Sequence, residues 1–213
     1  MLEVRNISHS FNGQDKILDD ISLEIKEKKI YSLKGESGSG KSTLLQILGG
    51  LLRPSEGQVL FEGKDISLLS EKEKAYLRSE KIAFVFQEFF LFPNLTVLEN
   101  IKIPLLFSKK KKIDLEEVMD LLGILDIKNS LASEISGGQK QRTSIARSLV
   151  NSPKIIFADE PTGNLDTKNT RATIDLFKTL NKKKNVAFLI ATHDEEISKN
   201  SEKVFRICDG KLN

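Results

Sequence analysis

Gly35-Glu36-Ser37-Gly38-Ser39-Gly40-Lys41-Ser42 matches the pattern GxxxxGK[ST] in full. Before it runs a short apolar stretch, Ile30–Lys34, which reads as a strand that stops at the loop. After it, Lys41–Leu52 carries apolar residues at Leu44, Leu45, Ile47, Leu48 and Leu51, the spacing of a largely buried helix. Strand, glycine-rich loop and helix in that order are the context in which this pattern cradles phosphate. The glycines let backbone N–H groups turn inward. The helix N-terminus adds the positive end of its dipole. Lys41 offers a point charge for β- and γ-phosphates, and Ser42 a hydroxyl for Mg²⁺.

Three further signals lie downstream. Ile155-Ile156-Phe157-Ala158 ends in two adjacent carboxylates, Asp159 and Glu160. One suits Mg²⁺, bound directly or through water, and the second can polarise an attacking water. Next, Gly35, Gln87, Asp159 and His193 each stand just beyond a short apolar run. In an open parallel sheet the carboxyl ends of strands face one crevice, so the four are expected to converge on the phosphates. His9 has no such context and reads as a packing residue. Finally, Ser136-Gly137-Gly138-Gln139-Lys140-Gln141-Arg142 opens a helix with Ile145 and Leu149 on its apolar face. Ser136 is a natural N-cap, and the two glycines let a phosphate approach the bare helix end. That is a second anion site in a chain that already has one.

The rest of the chain fits an α/β reading. Leu2–Phe11 and Ile17–Ile25 alternate, and Gln58–Glu62 follows a turn at Arg53–Gly57. Ile82–Phe86, Ile155–Ala158 and Val186–Ala191 are continuous apolar runs, the mark of buried strands. Ser70–Glu80, Thr96–Ile101, Leu115–Leu122, Gly138–Leu149 and Ile174–Leu180 read as helices, and Val204–Ile207 and Gly210–Leu212 as a terminal strand and turn. The lysine runs Lys109–Lys112 and Lys182–Lys184 read as solvated loops. A length of 213 residues suits one large domain or a domain with an inserted lobe. Thirty-three Lys and Arg against 30 Asp and Glu give a formal charge of only +3, which does not predict a nucleic-acid binder. One cysteine excludes a disulfide framework and a cysteine zinc cage. Cys208 reads as a small apolar residue in a reducing compartment. Apolar stretches such as Ile103–Phe107 fall far short of a membrane span, and the N-terminus lacks an apolar signal region. A cytoplasmic protein that meets a membrane only through partners is expected.

These residues together resemble the ATP-binding cassette (ABC) family over essentially the whole chain. The loop at Gly35–Ser42 matches Walker A, Ile155–Asp159 matches Walker B, and Glu160 the catalytic glutamate. Ser136–Gln139 matches the signature motif, Gln87 the Q-loop, His193 the switch histidine and Asn164-Leu165-Asp166 the D-loop. Phe11 stands where the family stacks an aromatic ring on adenine, with Ile17 a second apolar wall. Lys34, just before the loop, departs from the apolar residue that is commoner there.

The resemblance implies a P-loop NTPase fold of ABC type: a mostly parallel core sheet, an N-terminal antiparallel β subdomain and an inserted α-helical subdomain. It implies one domain over 1–213, with a core from 1–87 and 151–213 and a helical lobe from 88–150. It implies ATP held by Gly35, Ser37, Gly38, Ser39, Gly40, Lys41, Ser42 and Thr43, with Mg²⁺ organised by Ser42, Gln87 and Asp159. Lys41 and the loop amides would stabilise transition-state charge. Glu160 would position or deprotonate the water, and His193 would hold the γ-phosphate. Two chains would pack head to tail, each ATP lying between Walker A of one and Ser136, Gly137, Gly138 and Gln139 of the other, with Asp166 at the same junction. Separate transmembrane permease subunits would dock near Gln87–Ile101, where Phe89, Phe90, Leu91 and Phe92 either fill the lobe or face the partner. Glu160-Pro-Thr-Gly-Asn-Leu-Asp166 and Leu48-Gly-Gly-Leu51 look like the subgroup of lipoprotein-releasing, macrolide-exporter and cell-division ATPases at the bacterial inner membrane. The short chain is most similar to the lipoprotein-releasing type, with the other two, or an importer ATPase, as alternatives. The stretch between Ser42 and Ser136 holds no sustained heptad, against a chromosome or repair cassette. No Asn-Lys-x-Asp is present for reading guanine.

Overall fold

Six strands, β3 (Ile30–Lys34), β6 (Ile82–Val85), β7 (Ile155–Asp159), β8 (Ala187–Ala191), β9 (Lys203–Cys208) and β10 (Lys211–Leu212), form a core sheet in the order β10-β9-β3-β8-β7-β6. Every pairing in it is parallel except the β9–β10 hairpin. That hairpin turns through Asp209 and Gly210, both with positive φ (49° and 73°), the conformation of a two-residue type I′ turn. A second, antiparallel sheet has the order β2-β1-β4-β5 and contains β1 (Leu2–His9), β2 (Leu18–Ile25), β4 (Glu56–Phe61) and β5 (Lys64–Asp65). The computed structural model describes residues 1–13, 15–108 and 114–212; the lysine run at 109–112 lies outside them.

The continuous apolar runs are explained by burial on both faces of the core sheet. Period-two alternation sends Ile155 and Phe157 to one face, where they pack with Leu44, Leu45 and the inner residues of the antiparallel sheet, Val4, Val59 and Phe61. Ile156 and Ala158 face the other way, onto Ile145, Leu149, Ile174 and Phe177. Helix α1 (Lys41–Leu48) fills the first layer. The second holds α3 (Val97–Lys102), α4 (Leu115–Leu121), α5 (Gly137–Leu149) and α6 (Thr167–Lys184). Helix α2 (Glu71–Glu80) packs on β6, the 3₁₀ turn at Ile66–Leu68 packs on β4 and the one at Ile103–Phe107 on α2, and α7 (Glu195–Lys199) follows β8. Helices α2, α3 and α5 each start with a reciprocal capping box, Ser70/Glu73, Thr96/Glu99 and Ser136/Gln139.

Two local readings are corrected. Lys182–Lys184 is not a loop but the last turn of α6, stopped by Asn185 in the left-handed region. Cations are favoured there by the exposed helix carbonyls, and Lys184 pairs with Glu117 at 2.5 Å. Cys208 is exposed rather than packed, because it falls on the outward side of β9.

Candidate active site

The parallel register sets the site. Leu33 pairs with Ala191, Ala191 with Asp159, and Val85 with Ala158, so four strands end in one row. The residues just past that row, Gly35, His193, Glu160 and Gln87, therefore meet. With Ile17, Glu36, Ser37, Gly38, Gly40, Lys41, Ser42, Thr43, Asp159 and Gly163 they line one cleft of about 630 Å³. The convergence expected from the strand ends is the one observed.

Each wall has a local cause. Gly40 begins α1 at φ 99°, and a Cβ there would stand 2.8 Å from Leu18 Cδ2 and 2.9 Å from the Ile17 carbonyl, so the loop closes only on glycine. Lys41 Nζ donates to the carbonyls of Gly35 and Glu36, both at 2.9 Å, which holds its ammonium over the loop mouth. The Ser39 hydroxyl is buried inside the loop with no partner among the described residues. Glu160 sits at φ 42°, a costly conformation for a side chain of this kind, and its Oε2 lies 3.0 Å from His193 Nδ1. His193 itself is 79% exposed at the cleft rim. Asn164 Nδ2 donates to the Gln87 carbonyl at 3.0 Å, which fixes the end of β6 against the turn after Glu160.

The helix start at Ser136 stands elsewhere. None of Ser136, Gly137, Gly138 and Gln139 lines the cleft. The capping box uses the amides of Ser136 and Gln139, and no acceptor among the described residues takes those of Gly137 and Gly138. A Cβ on Gly138 would meet Asn169 Oδ1 at 2.6 Å. Asn169 in turn donates to both carboxylate oxygens of Asp166 at 2.8 Å, through its backbone and side-chain nitrogens. Those bonds hold the Asp166 carboxyl below the usual carboxylate range. The start of α5 thus rests directly on the start of α6. Phe11 is also outside the cleft, 65% exposed, with its ring set edge-on to His9 at 4.8 Å.

The segment after Gln87 is held from beneath. Arg147 on α5 donates to the carbonyls of Phe90 at 2.6 Å and Phe89 at 2.8 Å, and burial pushes its pKa down. Asn100 is fully buried; its amide donates to the carbonyls of Phe92, Leu95 and Thr96, and its Oδ1 accepts from Phe92 N–H. These bonds turn part of the aromatic cluster outward: Phe90 is 59% and Phe92 54% exposed, while Phe89 and Leu91 are half-buried.

Residues 18–163 match the ABC transporter family. The chain belongs to that family. It is an ABC transporter ATPase, and it binds ATP. Among solved structures it is similar to the ATP-binding cassette MJ0796 in a dimeric post-hydrolysis state bound to ADP and Pi (35% identity, TM-score 0.90, covering 100% of this chain and 97% of that one). A dimeric structure of MJ0796, described as a bacterial ABC transporter cassette, gives 36% identity, TM-score 0.90 and the same coverage. cbiO1 from Clostridium perfringens, part of the ABC transporter complex cbiONQ, gives 30% identity and TM-score 0.90 over 100% of this chain and 86% of that one.

In this ABC ATPase motif residues line the cleft, and other residues without a motif border it. Gly163 lines the cleft without having been singled out. A neighbouring cavity of about 650 Å³ behind the phosphate loop is lined by Lys16, Lys34, Arg206 and Asp209, none of which a motif marks. The one available signal was Lys34, a charged residue ending an apolar strand. Among the described residues no helix is long and apolar enough to cross a membrane.

Proposed function

We propose that this chain is the motor subunit of a bacterial transporter, in which two copies close on two ATP molecules and drive separate membrane subunits. The observation that carries the reading is the separation of two candidate anion sites: a complete cleft at the strand ends, and a serine-capped helix end whose first two residues are glycines and which its own cleft does not use. A two-fold pair of chains lets each helix end reach the other's cleft. Both MJ0796 structures are dimeric, which supports the same arrangement here.

In this reading Lys41 leaves its loop carbonyls for the β- and γ-phosphates, and the loop amides with the N-terminus of α1 carry the developing charge. Ser42, Gln87 and Asp159 fit Mg²⁺: a hydroxyl, an amide oxygen and one carboxylate are hard donors on one cleft, the set Mg²⁺ takes when phosphates and waters complete its shell. When bound, the ion supplies charge neutralisation at the phosphates. Glu160 holds and deprotonates the attacking water, and His193, beside it, contacts the γ-phosphate. Phe11 stacks on the adenine and Ile17 lines its base. Gly137 and Gly138 offer their free amides to the partner's γ-phosphate, with Ser136, Gln139 and Asp166 at the junction. Loss of that phosphate removes the shared contacts and the pair loosens, a population shift by differential affinity.

Residues 88–150 form the lobe that meets the membrane subunits, with Phe90 and Phe92 as its contact. The chain then acts at the cytoplasmic face of the inner membrane through those partners. The Glu160–Asp166 stretch favours the subgroup of lipoprotein-releasing, macrolide-exporter and cell-division ATPases, and within it release of lipoproteins from that membrane is the specific role proposed. A mild-detergent pull-down with this chain as bait, read by mass spectrometry, tests it. A four-span partner with a large periplasmic domain supports the subgroup; a six-span permease with a solute-binding protein overturns it.

A further inference from the structure

Lys34 ends β3 inside the sheet, 8% exposed, immediately before Gly35. An ammonium so placed needs a partner, because burying it alone is costly. Its Nζ donates to Glu195 Oε1 at 2.5 Å. Glu195 is the first residue of α7, two positions after His193. On the other side of His193, Thr192 is fully buried and its N–H donates to the Leu33 carbonyl at 3.1 Å. The Thr192 hydroxyl accepts from Asp194 N–H at 3.0 Å. The turn that carries His193 therefore hangs on two consecutive residues of β3, by backbone at Leu33 and by side chain at Lys34. The same two residues lead into the phosphate loop.

We propose that Lys34 and Glu195 are positioning residues for hydrolysis: their ion pair ties the His193 turn to the root of the phosphate loop, and so sets where the imidazole stands relative to Glu160 and the bound phosphates. The inference rests on the reading of His193 given above. The pair differs from an ordinary surface salt bridge. Exposed pairs contribute little because water replaces them, but here one member is buried, and removing Glu195 leaves its charge without compensation. Lys34 also holds the Glu195 carboxyl below the usual carboxylate range, with Lys199 and Arg206 adding to the effect. The carboxylate is thus the charged form through the neutral range. Lys16, Lys34, Arg206 and His193 all border the cavity behind the loop, so the tether sits where the loop and the switch histidine share a wall.

The test uses the full chain with Lys34→Met, Lys34→Arg, Glu195→Gln and His193→Ala. Turnover and KM for ATP are measured, together with the histidine ring signals in a ¹H–¹³C NMR spectrum without nucleotide. The chain has only two histidines, so His9 serves as the internal control. A misplacement of about 1 Å can cost up to about a hundredfold in rate. Lys34→Met and Glu195→Gln are expected to lower kcat at least about fivefold, to leave KM within about twofold and to move the His193 signals but not those of His9. Lys34→Arg keeps most of the rate. An unchanged melting temperature for Lys34→Met, as expected when an apolar side chain replaces a buried charge, separates the effect from unfolding. Wild-type kcat with unmoved His193 signals in both charge-removing variants overturns the proposal. If His193→Ala itself hydrolyses normally, the reading of His193 fails instead, and the tether is then judged by the NMR signals alone: unmoved signals overturn it.

Discussion

Replacing Glu160 by Gln changes one oxygen for one nitrogen and nothing in the size of the side chain. The position is unusual in backbone, at φ 42°, but Gln carries the same strain as Glu, so the fold is left as it was. The side chain is shielded, and one orientation of the amide still presents its oxygen to His193 Nδ1, 3.0 Å away in the native chain. What disappears is the negative charge and the capacity to take a proton. General-base contributions are about 10²- to 10⁴-fold, which at about 1.4 kcal/mol per tenfold is about 3 to 6 kcal/mol of transition-state stabilisation. Removing a negative charge beside a triphosphate does not weaken its binding. Glu160→Gln is therefore expected to bind ATP at least as tightly as the native chain, to release phosphate 10²- to 10⁴-fold more slowly and to accumulate as an ATP-bound dimer. A fluorescent-nucleotide titration reads the first, single-turnover phosphate release the second and light scattering on the same sample the third. Phosphate release within about tenfold of the native rate, or a monomer with ATP present, would refute the reasoning.

Other positions make separate predictions. Ser136→Arg adds bulk and charge at the open end of α5, away from its own cleft; it is expected to abolish hydrolysis while the monomer still binds ATP, measured with a fluorescent nucleotide. Gly138→Ala drives a Cβ into Asn169, whose side chain must give up its bond to Asp166, whereas Gly137→Ala meets nothing within 4 Å. The Gly138 variant should be less stable than the Gly137 variant by about 1 kcal/mol in denaturant unfolding, and adding Asn169→Ala should erase the difference. Arg147→Met removes two hydrogen bonds from the carbonyls of Phe89 and Phe90. A loss of about 1–3 kcal/mol is expected, with faster hydrogen exchange confined to the segment after Gln87. Asp166 is one contributor to stability in acid: its carboxyl is depressed in the fold, so its contribution is complete above the unfolded value and fades as pH falls through the folded one. Asp166→Asn should flatten that part of an acid-unfolding curve.

How far the sequence was readable depended on the range of the interaction. Ile155–Asp159 announced a buried parallel strand because both its faces must be apolar, and β7 occupies those residues. Ser136 announced a helix start because capping is decided within three residues, and the capping box is there. Helix α7 went unread because five residues are too few to show a period. The Arg147 clamp joins residues 57 and 58 apart in the chain, and the Lys34–Glu195 pair residues 161 apart. No local pattern encodes such a distance. The aromatic cluster at Phe89–Phe92 was undecided for the same reason: what turns Phe90 and Phe92 outward is a guanidinium and a carboxamide supplied from α5 and α3.

By itself the sequence determined the local shape of the cleft wall, because a glycine loop, a lysine and a helix end take up backbone geometry that neighbouring residues dictate. It also determined that the strand ends would share one edge, since buried apolar runs separated by helices pair in parallel. The tertiary structure alone decided which groups stand together at that edge and which stand apart. Register placed His193 on Glu160, sheet burial forced Lys34 to find Glu195, and the packing of α5 on α6 left the serine-capped, glycine-led end of α5 free of its own cleft. Those outcomes depend on distances across the sheet and between layers, which the order of residues along a chain does not contain.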